Sequence, residues 1–513
     1  MEAILRLARQ SGILDLDRAG LDAFKSEGPQ RVADGEATLY RRSLCLDNSI
    51  LYFIGTVHGE KSLYLLSEKS FGSGFDGERA RIGGISILKA RFNQANAERL
   101  HAVFPFTAPV SLRNRKTTFG CGDRLGLATP GQLRAVAKYD VAPVLAQQSV
   151  RELTLTGRDF PGVIRDVTFL VFQEGWQTGY GADGDHLKSM TDIDAALNAG
   201  MPMITLDLTE VMSPGPASWS PGKVDAEFEN LPDEVQARVT HTYADRTFQL
   251  AASTVQLSRT EARRCALMYL PALDFSQEVD RHLRTRRGDD YDLEISIDET
   301  TAPTLPAHHL FFASELAFRG VTVSSLAPRF IGEFQKGIDY IGDVREFERQ
   351  LTVHCDIAKA FGGYKISIHS GSDKFSVYPS IGRQTGMRLH LKTAGTSWLQ
   401  AVRVIARVDP ALFRAMFAKA LASFPEATRL YHVAADPKAV PDAAGLSDTK
   451  LERLLDHNDS RQILHITYGG LLKDPQIRDS IFSCLAQNEE LHYAVVEEHM
   501  EKHLRLLGAP PRG

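Results

Sequence analysis

Two histidines of this 513-residue chain lie next to acidic or glycine-rich residues, a combination that suits metal-assisted chemistry. His186 follows Asp185 in the segment YGADGDHLK, and His369 opens the turn HSGSDK. Imidazole and carboxylate groups together make the nitrogen and oxygen sites that zinc, manganese, cobalt and nickel accept. Such an ion would bind a hydroxy-carbonyl compound while Asp185 moves a proton. The plainer alternatives are a helix cap at Asp185-His186 and an ordinary buried histidine at 369.

A strand and a turn are predicted to position His369. Residues 364–368 alternate polar and apolar side chains, which is the pattern of a strand with one face of each kind. The sequence Ser-Gly-Ser-Asp, which follows His369, predicts a tight turn at which a ligand can approach backbone N–H groups. Similar strands, each ending in polar or glycine-rich residues, are predicted within residues 117–131, 143–149, 180–188, 201–210, 291–300, 320–330 and 387–398.

Helical segments separate these eight predicted strands, as in residues 159–174, where apolar residues recur at helical spacing. The alternation favours the α/β class and a (β/α)8 TIM-type barrel over residues 116–400, with an insertion at about 212–285. We expect an N-terminal mixed α/β extension at 1–115, with a mixed sheet built from residues 49–57, 85–89 and 101–110. A mainly helical C-terminal extension is expected at 401–513.

In such a barrel the carboxyl ends of the strands carry the chemistry, so polar residues at those ends are the candidate site. Several are basic, which suits a carboxylated or polyhydroxylated substrate, although any one of them could simply be ion-paired. Asp207 ends another of the strands. The candidate substrate-binding residues are Asp123, Arg124, Gln148, Asp298, Arg329, Lys336, Ser370, Gly371, Ser372, Asp373, Lys374 and Lys392.

Composition excludes several classes of function. A net charge of -5 and no block of like charge argue against nucleic acid as a partner. Five scattered cysteines without CxxC spacing predict a reducing, cytoplasmic location. No apolar stretch is long enough for a membrane span. Because the GxGxxG and Walker sequences are missing, we expect neither NAD nor ATP. A homo-oligomer is compatible with the sequence.

Five segments together resemble the tagaturonate epimerase family: residues 120–131, 180–189, 327–340, 364–379 and 388–398. The likeness runs in matching order from about residue 50 to the end. It implies a metal-dependent isomerase that acts on a small uronate. The implied reaction is the reversible interconversion of D-tagaturonate and D-fructuronate in hexuronate (galacturonate) catabolism.

A more distant likeness concerns the class II, metal-dependent ketose aldolases. Asp185-His186 is similar to their Asp-His pair, and the turn at His369 is similar to their His-Gly-Gly-Ser-Gly turn. The likeness implies that His186 and His369 are metal ligands and that Asp185 is catalytic. Ser370 replaces the first glycine, and the histidine of the sixth strand is missing. We expect Glu333 to stand in for it as a ligand and catalytic group.

The aldolase likeness also implies a mechanism. The two uronates differ at C4, which is β to the C2 ketone, so enolisation cannot invert that carbon. Cleavage and re-formation of the C3–C4 bond can. Three alternatives stay open: a metal-dependent aldolase, a sugar isomerase or 4-epimerase acting on a related ketose, and a carbohydrate-binding protein without catalysis.

Overall fold

The computed structural model describes residues 1–72, 74–298 and 303–513. Its strands are β1 (Arg31–Ala33), β2 (Ala37–Tyr40), β3 (Cys45–Asp47), β4 (Ile50–Val57), β5 (Glu60–Ser67), β6 (Gly77–Ile82), β7 (Ile85–Ala90), β8 (Thr117–Gly120), β9 (Ala142–Ser149), β10 (Gly181–Leu187), β11 (Met203–Asp207), β12 (Arg246–Gln249), β13 (Thr254–Leu257), β14 (Asp292–Ile297), β15 (Ser325–Pro328), β16 (Lys365–Ile368) and β17 (Leu389–Lys392).

Its α-helices connect and cover these strands. They are α1 (Glu2–Gln10), α2 (Arg18–Ser26), α3 (Gln94–Val103), α4 (Thr129–Val136), α5 (Val150–Thr156), α6 (Phe160–Glu174), α7 (Met190–Asn198), α8 (Pro221–Phe228), α9 (Asp233–Tyr243), α10 (Arg259–Arg287), α11 (Pro306–Phe318), α12 (Val344–Ala360), α13 (Tyr378–Thr385), α14 (Thr396–Val408), α15 (Pro410–Ala427), α16 (Asn458–Ile466), α17 (Tyr468–Leu472), α18 (Pro475–Gln487) and α19 (Glu489–Leu507). No helix in the described part of the chain has both the length and the apolar run needed to cross a membrane.

Eight parallel strands close into a barrel in the order β8, β9, β10, β11, β14, β15, β16, β17. The last strand returns to the first, with Lys392 opposite Gly120. All eight predicted strands are present, and the (β/α)8 fold class is confirmed. Glu299 and Thr300, at the end of the fifth predicted strand, lie outside the described residues. Because the strands are parallel, their carboxyl ends meet at one rim.

Helix α6 shows how the sequence covers the barrel. The Asp159 side chain caps its first turn by accepting a hydrogen bond from the backbone N–H of Gly162 at 2.8 Å. Gly175 ends it in the left-handed region, at φ +60°. Val163 and Val167, one turn apart, are buried in the main core. Full burial of each such side chain stabilises the fold by about 1.5–3 kcal/mol.

Between β11 and β14 the chain leaves the simple alternation of strand and helix. This segment contains α8, α9, the antiparallel hairpin β12–β13 and the 29-residue helix α10. The α10 residues Ala266, Leu273 and Val279 join the main core, so α10 also serves as the long helix between β11 and β14.

The N-terminal extension contains a seven-stranded sheet in which every pairing is antiparallel. The prediction of a mixed sheet that includes residues 101–110 is therefore wrong. Residues 101–103 are the last residues of helix α3. This helix begins after Asn93, whose side chain accepts a hydrogen bond from the N–H of Asn96. The buried Ala97 and Leu100 lie on one helical face, and this spacing suits a helix rather than a strand.

Helices α14 to α19 form the C-terminal extension and enclose a separate apolar core. Helix α19 packs against α4 and α14. Two loops of the barrel rim are tied to this extension: Asp373 pairs with Arg461 of α16, and Gln335 accepts a hydrogen bond from Gln462. The extension therefore forms part of the wall above the carboxyl ends of the strands.

Candidate active site

A cavity of about 250 Å³ opens at the carboxyl ends of the barrel strands. Its wall combines side chains from the strand ends, from the loop after β15 and from the C-terminal extension. Eleven of the residues predicted from the sequence line it: Arg124, Asp185, His186, Asp298, Arg329, Glu333, Lys336, His369, Ser370, Ser372 and Lys392.

His369 lies between two carboxylates at the end of β16. Its Nε2 is 2.8 Å from Oε1 of Glu294, and its Nδ1 is 3.1 Å from Oδ2 of Asp298. The first contact is a hydrogen bond, whereas the buried Nδ1 makes none with any described residue. When Nε2 donates to Glu294, the Nδ1 lone pair faces an oxygen that is also an acceptor. Such an arrangement needs a proton or a cation between the two atoms.

The charges around His369 favour positive charge at this point. Burial alone would lower the pKa of His369, but Asp298 and Glu294 outweigh that effect and raise it to about 10. Glu294 is completely buried, so its carboxylate depends on its cationic and hydrogen-bonding neighbours. A cation bound by the Nδ1 atom and the Asp298 carboxylate would meet the same electrostatic demand.

His186 stands beside His369, with ring centroids 4.9 Å apart and ring planes at 72°. Its Nε2 is 3.8 Å from Oδ1 of Asp185, and its Nδ1 is 3.8 Å from Oδ2 of Asp207. The backbone of His186 has a φ of +54°, and the β10 register shifts between Gly184 and Leu187. A residue with a side chain rarely adopts this conformation, which is typical of sites where the backbone serves function.

Lys392, at the end of β17, joins a group of buried carboxylates. Its Nζ lies 2.6 Å from Asp185, 2.8 Å from Glu294 and 3.2 Å from Asp183. Burial would raise the pKa of Asp185, but Lys392 and the two imidazoles hold it below its usual range. Burial raises the pKa of Asp183 to about 6, although Lys392 opposes this. Lys392 therefore keeps Asp185 ionised beside the imidazoles.

Other cations lie on a different part of the cavity wall. Arg124 is almost fully buried and forms an ion pair with Glu152 at 2.6 Å. Burial lowers the pKa of Lys336, with a smaller opposing effect from Glu152. Arg329 and Arg151 also line the cavity. This part of the wall is basic, whereas the wall around the imidazoles is rich in carboxylates.

Asp123 and Gln148, both predicted to bind substrate, face the protein rather than the cavity. Asp123 accepts hydrogen bonds from the backbone N–H groups of Leu125 at 2.9 Å and Ala128 at 2.6 Å. Gln148 donates to the backbone oxygen of Asp123 at 2.6 Å. Together they fix the turn after β8, while the neighbouring Gln147 lines the cavity.

The second half of the HSGSDK turn is also engaged in structure. The Nζ of Lys374 donates to the backbone oxygens of Gln335, Ile338 and Ser372 at 2.8, 2.6 and 3.0 Å. Asp373 lies 3.2 Å from Arg461 and 3.0 Å from His499.

Gly371, from the same turn, donates its N–H to Lys392 O at 3.0 Å. Its neighbours Ser370 and Ser372 line the cavity. The turn therefore presents its two serines to the cavity, while its glycine, aspartate and lysine attach it to the surrounding protein.

Glu333 lines the cavity away from the imidazole pair. Its side chain is 42% exposed and lies 3.7 Å from Nε2 of His432. Among the described residues, the carboxylates within 4 Å of the two imidazoles are Asp185, Asp207, Glu294 and Asp298. Of these, Asp298 lies closest to a ring nitrogen that makes no hydrogen bond with the described part of the chain.

Sequence reasoning missed several residues of the site. Glu294 lies behind His369, and its alternation with Ser296 and Asp298 along one predicted strand face could have identified it. Gln147, Tyr431 and His465 line the cavity itself. The last two come from the C-terminal extension, and the local sequence around them carries no sign of a role at the barrel rim.

Comparison with known proteins shows the family of the chain. The family described as tagaturonate epimerase matches residues 40–507. The chain belongs to the tagaturonate epimerase family. A tagaturonate/fructuronate epimerase from Thermotoga maritima is 38% identical over 469 residues, which cover 91% of this chain and 96% of the relative.

Solved structures of a family member show the same fold. The native crystal structure of fructuronate-tagaturonate epimerase from Cohnella laeviribosi is 43% identical, with a TM-score of 0.88. The match covers 92% of this chain and 97% of that one. A glycerol complex of the same enzyme is also 43% identical, with a TM-score of 0.88 and coverage of 92% and 96%.

Proposed function

We propose that the protein is a tagaturonate epimerase, an isomerase that interconverts D-tagaturonate and D-fructuronate in hexuronate catabolism. Family membership over residues 40–507 supports the substrate and the reaction. The observation that carries the chemistry is the imidazole pair, His186 and His369, beside the ionised Asp185 at the cavity wall. All five cysteines are free, which suits the reducing cytoplasm that we propose as its location.

We propose that His186, His369 and Asp298 hold a divalent metal ion. The hydrogen-bond-free Nδ1 of His369 facing Asp298 supports this assignment, and Glu294 would orient the ring from the other side. The mixed nitrogen and oxygen donors suit zinc, manganese, nickel or cobalt. Asp298 takes the place that the sequence suggested for Glu333. When bound, such an ion supplies a Lewis acid that polarises the ketone and stabilises negative charge on oxygen.

In the reaction that we propose, Asp185 removes the proton from the C4 hydroxyl of the substrate. The C4 oxygen forms a carbonyl as the C3–C4 bond breaks, and the electron pair of that bond moves to the C2 oxygen as an enediolate. The aldehyde fragment keeps C4, C5 and the carboxylate. This fragment rotates so that the opposite face of its C4 carbonyl meets C3. The C3–C4 bond then re-forms, and Asp185 returns the proton to the C4 oxygen. Lys392, 2.6 Å from Asp185, keeps this carboxylate ionised before the reaction.

The basic part of the wall supports an acidic substrate. Arg124, Arg329 and Lys336 line the cavity that Asp185 also lines. A uronate carries one carboxylate, which these cations would attract and which the carboxylates around the imidazoles would repel. The charge distribution therefore favours one orientation, with the ketone end of the sugar near His186 and His369.

Incubation of the protein with D-tagaturonate, with and without added divalent metal, tests the proposed function. Carbon NMR should show D-fructuronate appearing until both uronates are present at equilibrium. A chelator should stop the conversion, and zinc, manganese, nickel or cobalt should restore it. Accumulation of three-carbon fragments would instead indicate an aldolase. No change in any sample would contradict the proposal.

A further inference from the structure

His465 brings a buried imidazole from the C-terminal extension to the cavity. It lies on α16, is 3% exposed and lines the same cavity as Lys336 and Arg124. Its Nδ1 is fully buried and makes no hydrogen bond with the described residues. Nδ1 therefore cannot meet a ligand, and the ring nitrogen that can is Nε2, which lies against Gly395, a residue of the cavity wall.

Two glycines make room for this ring. A Cβ atom at Gly337 would lie 3.3 Å from Nδ1 of His465. A Cβ atom at Gly395 would clash with Nε2 of the same ring. Gly337 has a φ of +77°, which glycine adopts without strain. The imidazole therefore lies between the loop after β15 and the loop after β17, where it reaches the cavity from the helical side.

The charges around His465 on the cavity wall suit the binding of an anion. Burial lowers the pKa of His465 well below its usual range, and the charges of Lys336 and Arg124 lower it further. The ring is therefore neutral and offers one N–H donor. Arg124 is already paired with Glu152, whereas the Lys336 ammonium has no ion pair or hydrogen bond within the described part of the chain.

We propose that His465 and Lys336 together bind the carboxylate of the uronate and thereby select it over the corresponding neutral ketose. The inference rests on the proposed function, which it extends to residues that select the substrate. Lys336 supplies the positive charge, and the neutral His465 supplies a directed hydrogen bond without adding a further charge beside Arg124. A neutral ketose carries a hydroxymethyl group at this end, which gains much less from the ammonium.

The test compares D-tagaturonate with D-tagatose in Lys336→Met, His465→Ala and the conservative variants Lys336→Arg and His465→Gln. We expect kcat/KM for D-tagaturonate to fall by about 10- to 100-fold in the first two variants, since a hydrogen bond to a charged group contributes that much. The value for D-tagatose should change less than about threefold. The conservative variants should recover part of the loss, and the surface variant Lys473→Met should match the wild type.

Dissociation constants measured in the Asp185→Asn background keep the test independent of turnover. There, Lys336→Met and His465→Ala should weaken binding of D-tagaturonate by about 10-fold or more and leave D-tagatose unaffected. Equal losses for both sugars, or unchanged binding of D-tagaturonate, would overturn the inference. An inactive wild type would instead contradict the proposed function, so the two failures are distinguishable.

Discussion

Nδ1 of His369 lies 3.1 Å from Oδ2 of Asp298, and no hydrogen bond to a described residue satisfies that nitrogen. The other ring nitrogen is held by Glu294 at 2.8 Å, which fixes the orientation of the imidazole. A carboxylate, an imidazole and a second imidazole 4.9 Å away thus converge at one wall of the cavity. This arrangement is the one on which the proposed metal site rests, with Glu294 orienting the ring from the other side.

Replacement of Asp298 by asparagine should lower metal occupancy. The substitution removes the anionic oxygen beside His369, and we expect metal affinity to fall by at least about 10- to 100-fold. Elemental analysis after dialysis against a metal buffer measures this directly. The matched control is Glu333→Gln, which should keep wild-type occupancy because Glu333 contacts His432 instead. The reverse pattern would assign the ligand to Glu333.

Asp185→Asn should keep its metal and lose most of its turnover. The amide cannot accept the C4 hydroxyl proton, and loss of a general acid-base group typically costs about 10²- to 10⁴-fold. Steady-state rates with D-tagaturonate and metal content should be measured on the same preparation. Full activity in this variant would rule out Asp185 as the proton acceptor.

Asp373→Asn should destabilise the protein without weakening substrate binding. Asp373 is buried against Arg461 and His499, and loss of one partner of a buried ion pair costs about 3–5 kcal/mol. Thermal unfolding should therefore begin at a lower temperature, while KM for D-tagaturonate, measured where the variant is folded, stays unchanged. A raised KM with unchanged thermal stability would show that the carboxylate serves the substrate.

The free energy of unfolding should decrease as the pH falls from 6.5 towards 4. Burial lowers the pKa of His354 to about 4, so between these values the unfolded chain binds a proton that the folded chain does not. For this one group the loss is about 1.4 kcal/mol per pH unit, and the contribution is fully present above pH 6.5. His354→Gln should show a shallower pH dependence than the wild type in urea titrations.

The exposed variant His241→Gln serves as the control for that titration. Its pH dependence should match that of the wild type, because the His241 side chain is exposed and the buried His354 is retained. The buried partner of His354 is His309, whose Nδ1 lies 2.9 Å away. Identical slopes in the wild type and His354→Gln would contradict a neutral buried His354.

The sequence predicted the barrel because each of its strands is short and is followed by polar or glycine-rich residues, with helical segments in between. It also placed His186, His369, Asp185 and Lys392 at strand ends, where they line one cavity. Their positions could be predicted because the parallel barrel brings the carboxyl ends of all its strands to one rim. Position along a strand is therefore enough to bring such residues together.

Other residues could not be assigned from local sequence. Asp373 and Lys374 follow His369 directly, yet their contacts reach Arg461 and the loop oxygens of Gln335 and Ile338. His465 reaches the cavity from a helix far along the chain. Contacts of this kind depend on how the C-terminal extension packs on the barrel, and neither strand alternation nor a motif encodes that packing.

The most direct test of C3–C4 bond cleavage uses D-tagaturonate that carries deuterium at C4. Cleavage and re-formation of the carbon–carbon bond never break the C4–H bond. We therefore predict that the D-fructuronate formed by the metal-loaded protein keeps its deuterium, as measured by mass spectrometry and NMR. Loss of the deuterium to solvent would contradict the account and indicate inversion by removal of the C4 hydrogen.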